Sequence, residues 1–209
     1  MVLPKARPAG SSARRGGHCA LARRHLAGLQ KGVQDQGESI FFIDESGFYP
    51  VPSIARTYAP VGQTPIFWEW CTRDHLSAIS AISPEGKLYF HSQDRALNSD
   101  DVVAFLAHLL REVPGQIVMI WDGAPIHRSH IIKEFLANGA SQRLPLERLL
   151  AYAPELNWGE GLWQQLKGIE WRHVCGFDIP HLRHELRDAV KRVRRQPRLI
   201  HGFFRGAKL

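Results

Sequence analysis

Gln116-Ile-Val-Met-Ile-Trp-Asp122 is the stretch from which the fold is read. An unbroken apolar run of strand length, flanked by Pro114-Gly115 and an acidic residue, reads as a strand covered on both faces, as in the middle of a parallel sheet. A second run of the same kind, Ser39-Ile-Phe-Phe-Ile-Asp44, also ends on an aspartate. A carboxylate at the end of a buried strand is costly unless something pairs with it. Glu160 opens a helical stretch after Pro154-Glu-Leu-Asn157. Two Asp and one Glu converging in space suit two hard divalent cations, the equipment for in-line phosphoryl transfer on nucleic acid.

Between the two apolar runs, Val51–Pro65 is rich in Pro and Gly and reads as loop. Residues 75–83, with Leu76, Ala78, Ile79 and Ile82, read as a strand. Ser83-Pro-Glu-Gly86 is a turn, and residues 87–91 form the return strand of a hairpin. Asn98-Ser-Asp-Asp101 starts a helix, with a capping side chain and acids in its first turn; Val102, Phe105, Leu106 and Leu109 share its apolar face. Beyond Asp122, Ser129 caps a helix through Leu136 that stops at Asn138-Gly139, and residues 144–151 read as a short strand. Asn157 caps a helix with Leu162, Trp163, Leu166 and Ile169, and Pro180 starts a last helix striped by Leu182, Leu186, Ala189, Val190 and Val193. This order predicts a mixed α/β sheet with helices on both faces. In it the strands ending at Asp44 and Asp122 can be parallel neighbours, presenting both carboxylates at one edge, where ligands bind.

The chain has 209 residues, 44% hydrophobic, which suits one compact domain with flanking tails. Its formal net charge of +7 is unevenly spread: residues 1–40 carry net +5, residues 41–180 net −5, and residues 181–209 net +7. Basic ends around an acidic centre read as phosphate-binding surface around a metal-binding middle, or as merely solvated ends. Cys19, Cys71 and Cys175 have no motif spacing, so neither a disulfide framework nor a zinc ribbon is indicated and a reducing, cytoplasmic setting is expected. No apolar run approaches a membrane span of roughly 20 residues.

Several segments together resemble one family. Phe42-Ile-Asp-Glu-Ser-Gly47, Arg56-Thr-Tyr-Ala-Pro-Val-Gly-Gln-Thr-Pro65, Trp121-Asp-Gly-Ala-Pro-Ile-His127, and Tyr152-Ala-Pro-Glu-Leu-Asn157 with Glu160 and Leu162-Trp163-Gln-Gln-Leu-Lys167 occur in that order. Over about residues 38–195 the chain resembles the catalytic domain of DDE-superfamily transposases, in the bacterial insertion-sequence branch related to the mariner group. The resemblance implies a ribonuclease-H-like five-stranded mixed sheet. It implies Asp44, Asp122 and Glu160 as catalytic metal ligands for two Mg2+ (or Mn2+) ions, and cleavage and strand transfer at transposon ends. Its implied partners are transposon-end and target DNA, a second copy in a homodimer, and a separate helix-turn-helix DNA-binding chain, all nucleoid-associated in the cytoplasm. Residues 1–37 are then a basic tail or linker remnant, and residues 196–209 a basic C-terminal tail. An inactive DNA-binding remnant is the alternative.

Two departures from the family pattern bear on the site. Trp158-Gly159 replaces a Pro and an aliphatic residue before Glu160, losing the preset φ of proline, and Ala59-Pro-Val-Gly62 lacks a basic residue. Other readings of the same residues stay open. Asp44 and Asp122 could bond their own turns. Asn157-Trp-Gly-Glu160 fits a capping box, which alone explains a Glu at 160. Glu45 should point away from Asp44, because a strand alternates its faces. His127 approaches DNA or water, or is structural. Tyr58, Trp68 and Trp70 stack on unpaired bases or pack on the hairpin. The order of His181, His184 and Glu185 fits neither zinc-protease pattern, and the last helix reads as a basic surface facing phosphates or solvent.

Overall fold

The structure is a computed structural model that describes residues 28, 37–50, 74–148, 158–170 and 178–206. The three cysteines, the 51–65 loop, Tyr58, Trp68, Trp70, Glu155, Asn157 and residues 1–27 lie outside the described residues.

Five strands form one sheet in the order β3-β2-β1-β4-β5. They are β1 (Ser39–Phe48), β2 (Leu76–Ile82), β3 (Leu88–Gln93), β4 (Ile117–Trp121) and β5 (Leu146–Arg148). β1, β2 and β3 form an antiparallel meander. β1 and β4 are parallel, with Ser39 opposite Ile117 and Phe42 opposite Ile120. β5 continues the parallel set. This is the mixed five-stranded sheet that the order of elements predicts. β1 runs four residues past Asp44, however, because Glu45 to Phe48 pair with Ile79 to Leu76 of β2. The backbone groups there are satisfied by the ladder even though the side chains no longer read as apolar.

The helices are α1 (Ser99–Glu112), α2 (His130–Ala137), α3 (Gly159–Gln165), α4 (Ile179–Arg194) and α5 (Pro197–Gly206). α1 begins on a capping box: the Asn98 side chain accepts from the Asp101 N–H, and the Asp101 carboxylate accepts from the Asn98 N–H. α2 and α4 have one-way caps: the Ser129 hydroxyl accepts from the Ile132 N–H, and the Asp178 carboxylate from the His181 N–H. Alternate residues of β1 separate two cores. Phe41 and Ile43 join Val102, Phe105, Leu106 and Leu109 of α1 and Ile132 of α2. Ile40 and Phe42 join Leu162 of α3, Leu186 of α4 and Ile200 of α5. Helices therefore cover both faces.

α5 corrects the expected basic tail over 196–209. Ile200 and Phe204 are buried in the second core, with Leu199 and Phe203 packed against it. Arg198 and Arg205 flank the apolar residues and His201-Gly202 interrupts them, yet the four-residue spacings Leu199–Phe203 and Ile200–Phe204 still put them on one helical face. Two glycines seat this helix. A Cβ on Gly86, at φ +86 in the hairpin turn, would come within 2.9 Å of Pro197, and one on Gly161 within 2.9 Å of Phe203.

Candidate active site

Extending the β1–β4 register by two residues sets Asp44 level with Asp122, just past the end of β4. The two aspartates thus reach one end of the parallel pair, but their surroundings differ. Asp44 continues the face of Ile40 and Phe42 and is only 8% exposed. Its Oδ2 accepts a 2.8 Å hydrogen bond from Trp163 Nε1 of α3. Burial pushes its pKa up to about 6; the Trp163 bond works against this, and the Glu45 and Glu160 charges add to it.

Glu160 stands in the first turn of α3, and both it and Asp44 line an open cleft of about 540 Å³. The cap of α3 is Trp158, whose side chain makes no capping hydrogen bond. Glu160 is therefore the second residue of the helix, and the expected cap, Asn157, lies outside the described residues. Trp158 has φ −69, close to the angle a proline would fix. The departure from the family pattern thus leaves this part of the backbone as a proline would set it. The ring is buried instead of exposed, 4.2 Å from Phe42 and 4.6 Å from Phe204 between ring centroids.

Two further residues of the cleft follow from the geometry of α3. Trp163 is three residues beyond Glu160, and Lys167 four beyond Trp163, so all three share a helical stripe. Reading Trp163 only as a core residue misses its bond to Asp44; the i, i+3, i+7 spacing from Glu160 is the signal for it. Lys167 lies in a π-helical turn, residues Leu166–Glu170, that widens the end of α3. Its Nζ donates to Ser46 Oγ at 2.6 Å and lies 5.2 Å from the Phe48 ring centre. Burial holds the Lys167 ammonium below its ordinary pKa, while the Glu160 and Asp44 charges oppose that shift. A cation thus faces the acids of the cleft.

Asp122 does not line this cleft. Its carboxylate is about half exposed, and Oδ1 accepts from the Ala124 N–H at 2.8 Å, an Asx-type turn. The same oxygen is 3.1 Å from His127 Nδ1. His127 is buried and stacks on Trp121, 4.4 Å apart and 3° from parallel. Its Nε2 is 2.8 Å from Glu45 Oε1. Glu45 does continue the Phe41–Ile43 face, as alternation requires, and there it joins β1 to the Asp122 loop through this imidazole. Burial alone would lower the His127 pKa, but Glu45 and Asp122 outweigh it and the net shift is upward.

The structure thus brings Asp44 and Glu160 together at one cleft and sets Asp122 at the neighbouring strand end, held by its turn. Among the described residues no three His, Cys, Asp or Glu side chains stand close enough to hold one metal ion. The donor chemistry nevertheless fits a hard divalent cation. The donors are carboxylate oxygens, the ligand type such cations prefer, and burial holds the Asp44 carboxyl above its ordinary pKa.

A family profile described as DDE superfamily endonuclease matches residues 39–173. No curated protein matches the chain. Among solved structures, the mariner Mos1 paired-end complex with Mg is 19% identical at a TM-score of 0.63, covering 97% of this chain and 62% of that one. The Mos1 strand transfer complex is 15% identical at a TM-score of 0.62, covering 100% and 65%. The catalytic domain of Mos1 mariner transposase is 13% identical at a TM-score of 0.57, covering 99% and 98%. The chain therefore spans under two thirds of the Mos1 chains in those complexes, and shares the ribonuclease-H-like fold of the Mos1 catalytic domain.

Proposed function

Since the chain belongs to the DDE superfamily endonucleases, we propose that it is the catalytic portion of a transposase that cuts DNA at transposon ends and joins them to target DNA. The observation that carries this reading is the pair Asp44 and Glu160 on one cleft, with Asp122 ending the parallel neighbour strand. Asp44, Asp122 and Glu160 would hold two Mg2+ or Mn2+ ions. When bound, such ions lower the pKa of an attacking water or 3′-hydroxyl and stabilise the leaving oxygen. The Mos1 paired-end complexes with Mg and with Mn support a divalent cation.

The chain's own residues have separate tasks. Trp163 orients the Asp44 carboxylate through one oxygen and leaves the other for a cation. Glu45 and His127 fix the Asp122 loop against β1. Lys167 neutralises the acidic cleft in the absence of metal, and from the same place it can face a scissile phosphate. DNA ends, target DNA, a second copy of the chain and a separate end-recognising helix-turn-helix chain complete the proposed assembly, in the cytoplasm at the nucleoid. Among the described residues no helix is long and apolar enough to cross a membrane.

A second reading, an inactive DNA-binding remnant, is favoured by one observation: Asp122 is tied to Ala124 and His127 and stands outside the cleft. Calorimetry with Mn2+ separates the two. The catalytic reading expects uptake that is lost in Asp44→Asn and Glu160→Gln, and Mn2+-dependent nicking of supercoiled plasmid that is lost also in Asp122→Asn. Nicking unaffected by all three substitutions would remove the assignment, and no Mn2+ uptake by the parent chain selects the remnant.

A further inference from the structure

A second recess, of about 640 Å³, lies between the edge strand β3 and helix α4. Phe90 and His91 of β3 form one wall, and Arg183, Arg187, Lys191 and Arg194 of α4 the other; none of its lining residues is acidic. On a helix rising about 1.5 Å per residue, these four cations span about 16 Å. Phosphates of one DNA strand follow each other every 3.4 Å or so along the duplex axis, so this length covers roughly five of them.

The groove also adjoins the cleft. The Phe90 ring is 6.3 Å from that of Trp163, the residue that bonds Asp44, so the two hollows share a wall. Neighbouring acids take up only part of this charge. Arg183 Nη2 pairs with Asp94 at 2.9 Å, yet Arg183 Nε is buried without a hydrogen-bond partner among the described residues. Arg194 donates to the Leu88 carbonyl, which leaves its charge uncompensated, and burial lowers its pKa. Lys191 pairs with Asp188, whose other oxygen faces His184. Arg187 is exposed. A solvated helix face has no need to point four cations into a concave surface or to leave a buried guanidinium donor unsatisfied.

We propose that the β3–α4 groove is a DNA-backbone site, holding the sugar–phosphate strand of duplex DNA that leads into or out of the Asp44 cleft. The deoxyribose polymer, as against other polyanions, rests on the endonuclease reading above; the phosphate chemistry does not. Binding there is electrostatic and indifferent to base sequence, because the groove offers point charges and guanidinium forks and no element shaped for a DNA groove.

The test is fluorescence anisotropy of a labelled duplex of arbitrary sequence with the full chain, in chelator so that nothing is cut, across a salt series. Each phosphate contact contributes about 0.9 to the slope of log affinity against log salt. Arg187→Gln should lower the slope by about 0.9, and Arg187→Gln with Lys191→Gln by about 1.8, while Arg187→Lys keeps it. Lys133→Gln, on the opposite layer, should leave it unchanged. Circular dichroism checks that each variant is folded. A double variant with the parental slope overturns the proposal. So does a Lys133→Gln variant that loses as much as Arg187→Gln, or a parent chain that binds no duplex at low salt. Mn2+ calorimetry on the same variants in chelator-free buffer keeps the two readings apart. Groove variants that lose slope in a chain taking up no Mn2+ sink the catalytic reading alone. Groove variants that keep it, beside an Asp44→Asn that loses Mn2+, sink the groove alone.

Discussion

Asp44 and Asp122 stand level on neighbouring parallel strands, Asp44 within β1 and Asp122 just past the end of β4, and they are built in opposite ways. Asp44 is set in packed core, one oxygen on the Trp163 indole and its pKa pushed to about 6. Asp122 is half exposed and held by its own turn and by His127. One carboxylate is placed by tertiary packing against a distant helix; the other is placed by six consecutive residues. Packing supplies a low-dielectric position and a strained charge, and local hydrogen bonding supplies orientation without desolvation.

Five substitutions break or sharpen that contrast. The largest effect belongs to the packing that supports the Asp44 side. Trp158→Ala removes an aromatic ring wedged between Phe42 and Phe204, and should cost about 3–5 kcal/mol in urea unfolding. Asp44→Asn comes next, with the opposite sign. The folded-state pKa is above the ordinary 3.8, so folding favours the protonated form. The contribution of this group is therefore present below about pH 4 and lost as pH rises through about 6. Removing the charge should stabilise the metal-free chain at pH 8 by up to about 3 kcal/mol and change little at pH 4. Unfolding free energies measured at the two pH values give the difference directly; equal effects at both would mean that Asp44 is not desolvated.

Trp163→Phe keeps most of the ring and deletes the donor to Asp44. It should destabilise the chain by about 1.5–3 kcal/mol and raise the Asp44 pKa further, which a carboxyl-selective NMR titration reads. Asp122→Asn is the smallest. The amide oxygen can still accept from Ala124, so the stability loss should be about 1 kcal/mol or less, with no gain at high pH. Its His127 partner carries the pH dependence on this side. The folded pKa of His127 is raised, so its stabilising contribution is complete below the ordinary 6.5 and fades as pH rises through the folded value. The same titration series in His127→Gln should lose that component. If Asp122→Asn instead matches Asp44→Asn in size and sign, the contrast between the two carboxylates collapses.

Much of this was legible before any coordinates. The apolar runs 39–44 and 116–121 predicted a parallel pair, and β1 and β4 are one. The hairpin, the Asn98 and Ser129 caps and the placing of helices on both faces follow from turn chemistry and periodicity, which act over a few residues. α5 is hard to see in the sequence because its apolar residues are few and interrupted by His201-Gly202, and only the α3–β1 layer gives them something to cover. The loss of a proline at Trp158 is visible in sequence, while the packing of its ring on Phe42 and Phe204 is not. The Glu45–His127–Asp122 link joins residues 82 positions apart, and no spacing rule reaches that far.

By itself the sequence determined the order of strands and helices, Asp122 at the end of β4 and the uneven charge, because each depends on residues close together in the chain. Only the tertiary structure decided that one aspartate is buried and the other is not, that Trp158 belongs to the core, and that a basic groove adjoins the acidic cleft. Desolvation and proximity are properties of what packs against a group, and the groups that pack against Asp44 and β3 come from helices more than a hundred and about ninety residues further along the chain.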